Sequence, residues 1–168
     1  KPSFRMPFRR HRCLLPADGF YEWMTLPPGS GGGEPARKQP QHIGMADGSL
    51  FGFAGLYERW RSEEGDVLDT CTIITTEANA LLRPLHDRMP AIIPPEHYAR
   101  WLDPAHADVV DLIVPYSAAA MAYYPVSSRV NNVRHDDATL IEPVAAVPGD
   151  NDADHGPPPH RPEQEELF

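Results

Sequence analysis

Apolar and polar positions alternate in short runs along most of the chain, and the clearest such stretch lies between Arg12 and Trp23. Two apolar runs there flank Ala17-Asp18-Gly19, a turn signal whose glycine can take positive φ, so the stretch reads as a strand-turn-strand unit. In its second arm the pleat sends Phe20 and Glu22 to one face and Tyr21 and Trp23 to the other, which favours core packing for Trp23 over a role as a stacking surface. His42 to Ala46 and Leu50 to Tyr57 form the next two strands, joined at Asp47-Gly48 as a second hairpin. Phe51, Phe53, Gly55 and Tyr57 share one face of the latter, while Gly52 and Ala54 leave room on the other for a ligand, a backbone or a helix. Thr70 to Thr75 is a β-branched strand. It leads into a helix from Thr76 to Leu82, with a threonine cap, Glu77 in the first turn and Pro84 as the stop. Such a junction favours anions.

Ala91 to Ile93 is a short strand, and Pro94-Pro95-Glu96 opens a helix whose stripe is Tyr98, Trp101 and Leu102. A further short helix covers Ala105 to Val114 and ends at Pro115. Met121 to Val126 then extends into the polar run Ser127 to Asn132, whose donors suit a phosphate or plain turn capping. Many short strands with interspersed short helices predict an α+β fold, mostly antiparallel.

Composition adds boundaries. A length of 168 residues suits one domain with a real core. No apolar run is long enough to span a bilayer, and the opening Lys-Pro-Ser-Phe-Arg lacks the apolar centre of a signal peptide, so a soluble, intracellular protein is expected. The 20 prolines signal loops. Leu26 to Pro40, with Pro27, Pro28, Pro35, Pro40 and four glycines, reads as a flexible surface loop. No Lys-Ser/Thr pair follows to make it a phosphate-binding loop. Beyond Glu142, prolines among acids and glycines predict a disordered tail, giving a domain over residues 1–142 and a tail over 143–168. The net charge of −9 is concentrated there. From Asp136 onward nine acids face Arg161 alone, whereas residues 1–135 carry 15 acids and 14 bases.

Within that nearly neutral body, Lys1, Arg5, Arg9, Arg10 and Arg12 crowd the start with no acid among them, as an anion-facing segment or a solvated basic strand would. Cys13 and Cys71 lie in strand-like runs without metal-ligand spacing and are expected to be reduced and buried. The start without methionine points to the interior of a longer protein.

Two segments are dense in chemistry. If the face shared by Phe20 and Glu22 is buried, desolvation pushes the carboxyl toward proton exchange near neutrality; on an edge strand's wet face it is merely solvated. In Leu85-His86-Asp87-Arg88-Met89-Pro90, the imidazole titrates near neutrality and the guanidinium binds phosphate bidentately, unless the turn serves only itself.

Five blocks occur in a telling order: Arg-Cys-Leu-Leu-Pro-Ala-Asp-Gly-Phe-Tyr-Glu-Trp, Phe53 to Tyr57, Thr72 to Asn79, His86 to Pro90 and Val126 to Asn131. Together they resemble the SOS response-associated peptidase (SRAP) family over about Arg12 to Pro143. The resemblance implies a curved, barrel-like sheet with short peripheral helices and a positively charged cleft. It also implies a protein that recognises abasic sites in single-stranded DNA and becomes covalently attached to them, without cofactor or metal. A bacterial, cytoplasmic, nucleoid-associated monomer is the corresponding expectation.

In the family, the residue after the initiator methionine is a cysteine exposed by self-removal of that methionine. Its amine forms a Schiff base with the sugar aldehyde and its thiol closes a thiazolidine. Carried over, Glu22 moves protons at the sugar and amine, His86 assists ring opening, Arg88 holds a neighbouring phosphate and Thr75 turns its hydroxyl to the substrate. Arg12 belongs to the DNA-binding set with Arg88. The N-terminal cysteine is not among residues 1–168, so this stretch alone is expected not to form the adduct. Two rivals stand beside this reading. One is a cysteine peptidase pairing Cys13 or Cys71 with His86, which requires an accessible thiol of lowered pKa. The other is a non-enzymatic single-strand binder using Arg5, Arg9, Arg10, Arg12 and Arg88, with salt-dependent binding indifferent to Glu22.

Overall fold

Nine strands carry the architecture in a computed structural model that describes residues 4–27 and 37–145. The glycine-rich centre of the expected loop and almost all of the acidic tail lie outside the described residues. The strands divide between two units.

The first unit comprises residues 4–17, 50–79 and 88–116. Helix α1 (Arg5–Arg10) precedes β1 (Arg12–Ala17), in place of the extended basic segment the sequence suggests. Pro7 fits its first turn, where N–H groups have no helical partner, and Arg9 and Arg10 sit in the last turn against the negative end of the dipole. Strand β1 pairs with β4 (Phe51–Arg61), and β4 with β5 (Val67–Ile73), all antiparallel. Strand β8 (Ile92–Ile93) adds to β4 at Gly52 and Phe53, while β6 (Thr75–Glu77) and β7 (Arg88–Pro90) form a separate ladder.

The core of this unit is Ala54, Ala91, Ile93, Trp101, Val109 and Leu112. Burying one such large apolar side chain stabilises by about 1.5–3 kcal/mol. Trp101, on helix α2 (Tyr98–Leu102), is fully buried and satisfies its indole N–H on the Cys13 carbonyl at 2.8 Å. A Cβ on Gly52 would come within 3.2 Å of Tyr98 Oη, and Ala54 packs in the same cluster as Trp101, so the room left by these small residues is filled by helix packing.

The second unit comprises residues 18–27, 37–49, 80–87 and 117–145. Its sheet has the order β2 (Phe20–Leu26), β3 (Arg37–Met45), β9 (Met121–Pro125), again antiparallel, with β2 at the edge. Ile43, Met45, Leu82, Met121, Tyr123 and Val126 are buried. The bridge from Val126 to Pro143 and the bond from Val144 N–H to the Pro125 carbonyl carry ordered chain just past the expected boundary at residue 142.

The fold is therefore strand-rich, antiparallel and sparing in helix, as expected, and none of its three sheets closes into a barrel among the described residues. Several local expectations fail for identifiable reasons. Neither Asp18-Gly19 nor Asp47-Gly48 closes a hairpin, because the strands on either side of each turn join different sheets. Gly19 does not adopt positive φ; Gly48 does, at 73°, and its N–H bonds to the Met45 carbonyl. The hairpins are β2–β3 and β4–β5, the latter turning through Gly65 at φ 98°.

The helix expected from Thr76 to Leu82 is absent. Thr76 pairs with Met89 in a ladder, and residues 80–85 form turns in which Leu85 and His86 both donate to the Leu82 carbonyl. With Thr75 and Thr76 β-branched and Pro84 lacking an N–H, sheet pairing wins over helix, and no anion-binding helix terminus arises. Residues 105–114 form only a 3₁₀ turn at Val110–Leu112. Leu102 is exposed rather than part of the core stripe, and Cys71 is exposed rather than buried.

Candidate functional site

Strand β2 lies at a sheet edge, so residues pointing to either side can border the space beside it. An open depression of about 430 Å³ occupies the second unit there, a volume ordinary for a small-molecule or nucleotide subsite. Glu22, Trp23 and Thr25 of β2 line it, with Lys38 opposite Thr25 on β3. The turn after residue 80 contributes Leu85 and His86, and Asn131 comes from the 3₁₀ turn Ser128–Asn131. Glu22 and His86, distant in sequence, thus share one surface.

Each of these side chains is held differently. Glu22 is half-buried on the extended strand. His86 is exposed, with its Nδ1 3.2 Å from an Asp87 carboxylate oxygen. Trp23 is half-buried and donates its indole N–H to Asn131 Oδ1 at 2.7 Å, so it belongs to the depression and not to the core, contrary to the strict reading of the pleat. The chemistry available is a carboxylate, an imidazole, an ammonium and an indole lining one space. That set can move a proton, neutralise an anion and offer a flat apolar face.

Thr75 and Arg88 meet in the first unit, on the β6–β7 ladder. Arg88 Nη2 donates to the Thr75 carbonyl at 2.6 Å and to its hydroxyl at 2.9 Å. Both are exposed, and the Thr75 hydroxyl serves as acceptor for the guanidinium.

Arg12 does not belong with them. It is only 6% exposed, and its guanidinium donates to the carbonyls of Trp101, Phe8, Arg9, Asp103 and His106. Burial lowers its proton affinity while Asp103 opposes the change, yet an arginine stays charged in either case. With its fork committed to backbone oxygens, Arg12 braces the fold rather than presenting a free guanidinium at the surface. Among the described residues, the exposed bases of the opening segment are Arg5, Arg9 and Arg10.

Cys13 fares poorly as a nucleophile, whereas Cys71 is exposed. Burial raises the Cys13 thiol above its usual range, with Cys71 adding to the rise, opposite to what thiolate chemistry needs. No cluster of three or more metal-ligating side chains occurs among the described residues, and no helix there is long and apolar enough to cross a membrane.

Sequence reasoning missed Lys38 and Asn131 and favoured the core over a stacking surface for Trp23. Asn131 was legible only as part of the polar run after β9. Lys38 was hidden because Leu26 to Pro40 reads as loop, although β3 already begins at Arg37.

The family model described as SOS response associated peptidase (SRAP) matches residues 1–133. The abasic site processing protein YoqW of Bacillus subtilis (strain 168) is 46% identical over 145 residues, covering 84% of this chain and 62% of that protein. The abasic site processing protein HMCES of Gallus gallus is 33% identical over 168 residues, covering 86% of this chain and 47% of that protein. A crystal structure of a protein from Bacteroides thetaiotaomicron superposes with a TM-score of 0.74 at 31% identity, covering 86% of this chain and 62% of that one. The chain thus spans about half to three fifths of the length of these relatives.

Proposed function

The chain belongs to the SOS response associated peptidase family, and from that premise we propose that it acts on abasic sites in single-stranded DNA, where the whole protein forms a covalent link to the opened sugar. What carries the reading is the convergence of Glu22 and His86 on one open depression beside Trp23 and Lys38. An abasic deoxyribose is in equilibrium with a ring-opened aldehyde. Opening needs a proton delivered to the ring oxygen and one removed from the anomeric hydroxyl, and His86 and Glu22 are suited to that exchange.

Capture of the aldehyde follows the family's chemistry. The amine nitrogen attacks the carbonyl carbon, the former carbonyl oxygen leaves as water after protonation, and the thiol adds to the resulting imine carbon as its proton passes to nitrogen. Glu22 is the group proposed to deprotonate the incoming amine and protonate the departing oxygen. Holding amine and thiol on one residue makes the second bond intramolecular, which accounts for a stable ring product. Arg88, braced by Thr75, is proposed as a phosphate contact, and Trp23 as the face on which a neighbouring base rests.

The experiment incubates abasic single-stranded oligonucleotide with residues 1–168 and with a version extended upstream to carry the family's N-terminal cysteine, and reads denaturation-resistant adduct. Adduct is expected from the extended chain. Glu22→Gln should slow it by about 10²-fold or more, the usual contribution of general acid-base catalysis. His86→Ala should slow it as well, while Cys13→Ala and Cys71→Ala leave it unchanged. Full-rate adduct from the Glu22→Gln and His86→Ala variants, or its loss in Cys13→Ala, would overturn the assignment in favour of the binding-only or thiol readings.

A further inference from the structure

The bond between Trp23 and Asn131 joins two elements far apart in sequence at the depression, and it does not serve stability in any obvious way. Both partners are accessible to water, where a neutral hydrogen bond contributes little. Its effect is geometric. An indole on an edge strand has two free torsions, and one N–H donor in a fixed bond leaves the ring a single orientation.

The acceptor is itself well held. Ser127 caps the 3₁₀ turn by accepting from the Arg129 N–H at 3.3 Å. The Arg129 guanidinium is tied to Asp137 at 2.8 Å and to Thr139 at 2.6 Å, and its carbonyl is met by His135 Nδ1 at 2.8 Å. The Asn132 N–H closes the turn on the Arg129 carbonyl at 3.1 Å. Four side chains therefore converge on the residue two positions before Asn131, so the amide is presented from a braced turn rather than a loose loop.

We propose that Asn131 is a positioning residue that locks the Trp23 indole as a platform for an unpaired base, acting on DNA only through that ring. The proposal rests on the single-stranded DNA reading above and names the device that orients its base subsite. Lys38, which also lines the depression, supplies the cation for the phosphate of the same nucleotide. A ring already fixed loses no further rotational freedom when a base stacks on it, whereas an unlocked ring must be ordered on binding.

The test uses residues 1–168 carrying Trp60→Phe, which removes an exposed indole and leaves Trp23 and the buried Trp101. Affinity for an unmodified oligothymidylate is measured by titration, and Trp23 mobility by time-resolved emission anisotropy without DNA. Trp23→Ala should weaken binding about 5- to 100-fold, the range for loss of one stacked base. Asn131→Leu should weaken it several-fold and lower the anisotropy. Asn131→Asp, which keeps the acceptor, should hold the anisotropy near that of the parent. In a Trp23→Phe background, where the N–H is gone, Asn131→Leu should have no further effect.

The outcomes separate the two claims. If Trp23→Ala leaves binding unchanged, the base-subsite reading fails. If Trp23→Ala weakens binding but Asn131→Leu does not, or if Asn131→Leu weakens it equally in both backgrounds, the reading stands and the positioning role is refuted.

Discussion

Replacing Arg12 by methionine tests whether that cation belongs to the fold or to a DNA surface. In the fold its Nε donates to the Trp101 carbonyl at 2.5 Å, one Nη to Phe8 at 2.7 Å and Arg9 at 3.3 Å, and the other to Asp103 at 2.6 Å and His106 at 2.9 Å. Its guanidinium carbon also lies 5.5 Å from the Trp101 ring centre. At about 1.5–3 kcal/mol for each bond to a charged group, simple addition would rival the whole stability of a domain, about 5–15 kcal/mol. The sum overstates the loss, since four of these carbonyls are only partly buried and water replaces the guanidinium there.

The Trp101 carbonyl is buried and cannot be rehydrated, so Arg12→Met is expected to cost about 3–5 kcal/mol. For a chain of this size that lowers the melting temperature by roughly 10–15 °C. Arg12→Lys keeps the charge but not the planar fork and should lose at least half as much. Urea unfolding followed by far-ultraviolet dichroism and tryptophan emission measures both, with exposed Arg9→Ala and Arg10→Ala as controls expected within about 0.5 kcal/mol of the parent. If Arg12→Met is as stable as those controls and instead weakens single-strand binding with a salt slope reduced by about one, the structural assignment is refuted.

Two further outcomes follow from the second unit. His42 is 6% exposed between Tyr21 and Tyr124, its Nδ1 has no hydrogen-bond partner among the described residues, and burial lowers its pKa below 6.5 with Asp18 opposing. The unfolded chain then binds the proton more tightly, so this contribution to stability is complete above about pH 6.5 and is lost as pH falls through the lower folded value, with a slope of at most about 1.4 kcal/mol per pH unit. Unfolding midpoints measured from pH 7.5 downward should show that loss, and His42→Phe should flatten it. Gly19→Ala should destabilise by about 1–3 kcal/mol in urea titrations. Its Cβ would overlap His42 Nε2 and fall 2.9 Å from the Ile43 carbonyl oxygen; adding His42→Ala should recover part of the loss, and full tolerance of the alanine would contradict the packing.

Local alternation of apolar and polar residues determined most strand positions, because a strand's side chains report its two faces directly. β1, β2, β4, β8 and β9 all fall where the pattern places them. It also determined that Glu22 and His86 are chemically apt, and their residue types alone carry that. Pairing was not legible. Asp18-Gly19 and Asp47-Gly48 are turn signals in any chain, but whether the flanking strands hydrogen-bond to each other depends on which distant edge buries them better. The same reason explains Arg12, whose sequence neighbours made it one basic residue among several. Only the folded chain, by bringing the carbonyls of Trp101, Asp103 and His106 to its fork, turned a surface charge into an internal brace, while the equally basic Arg9 and Arg10 stayed in water.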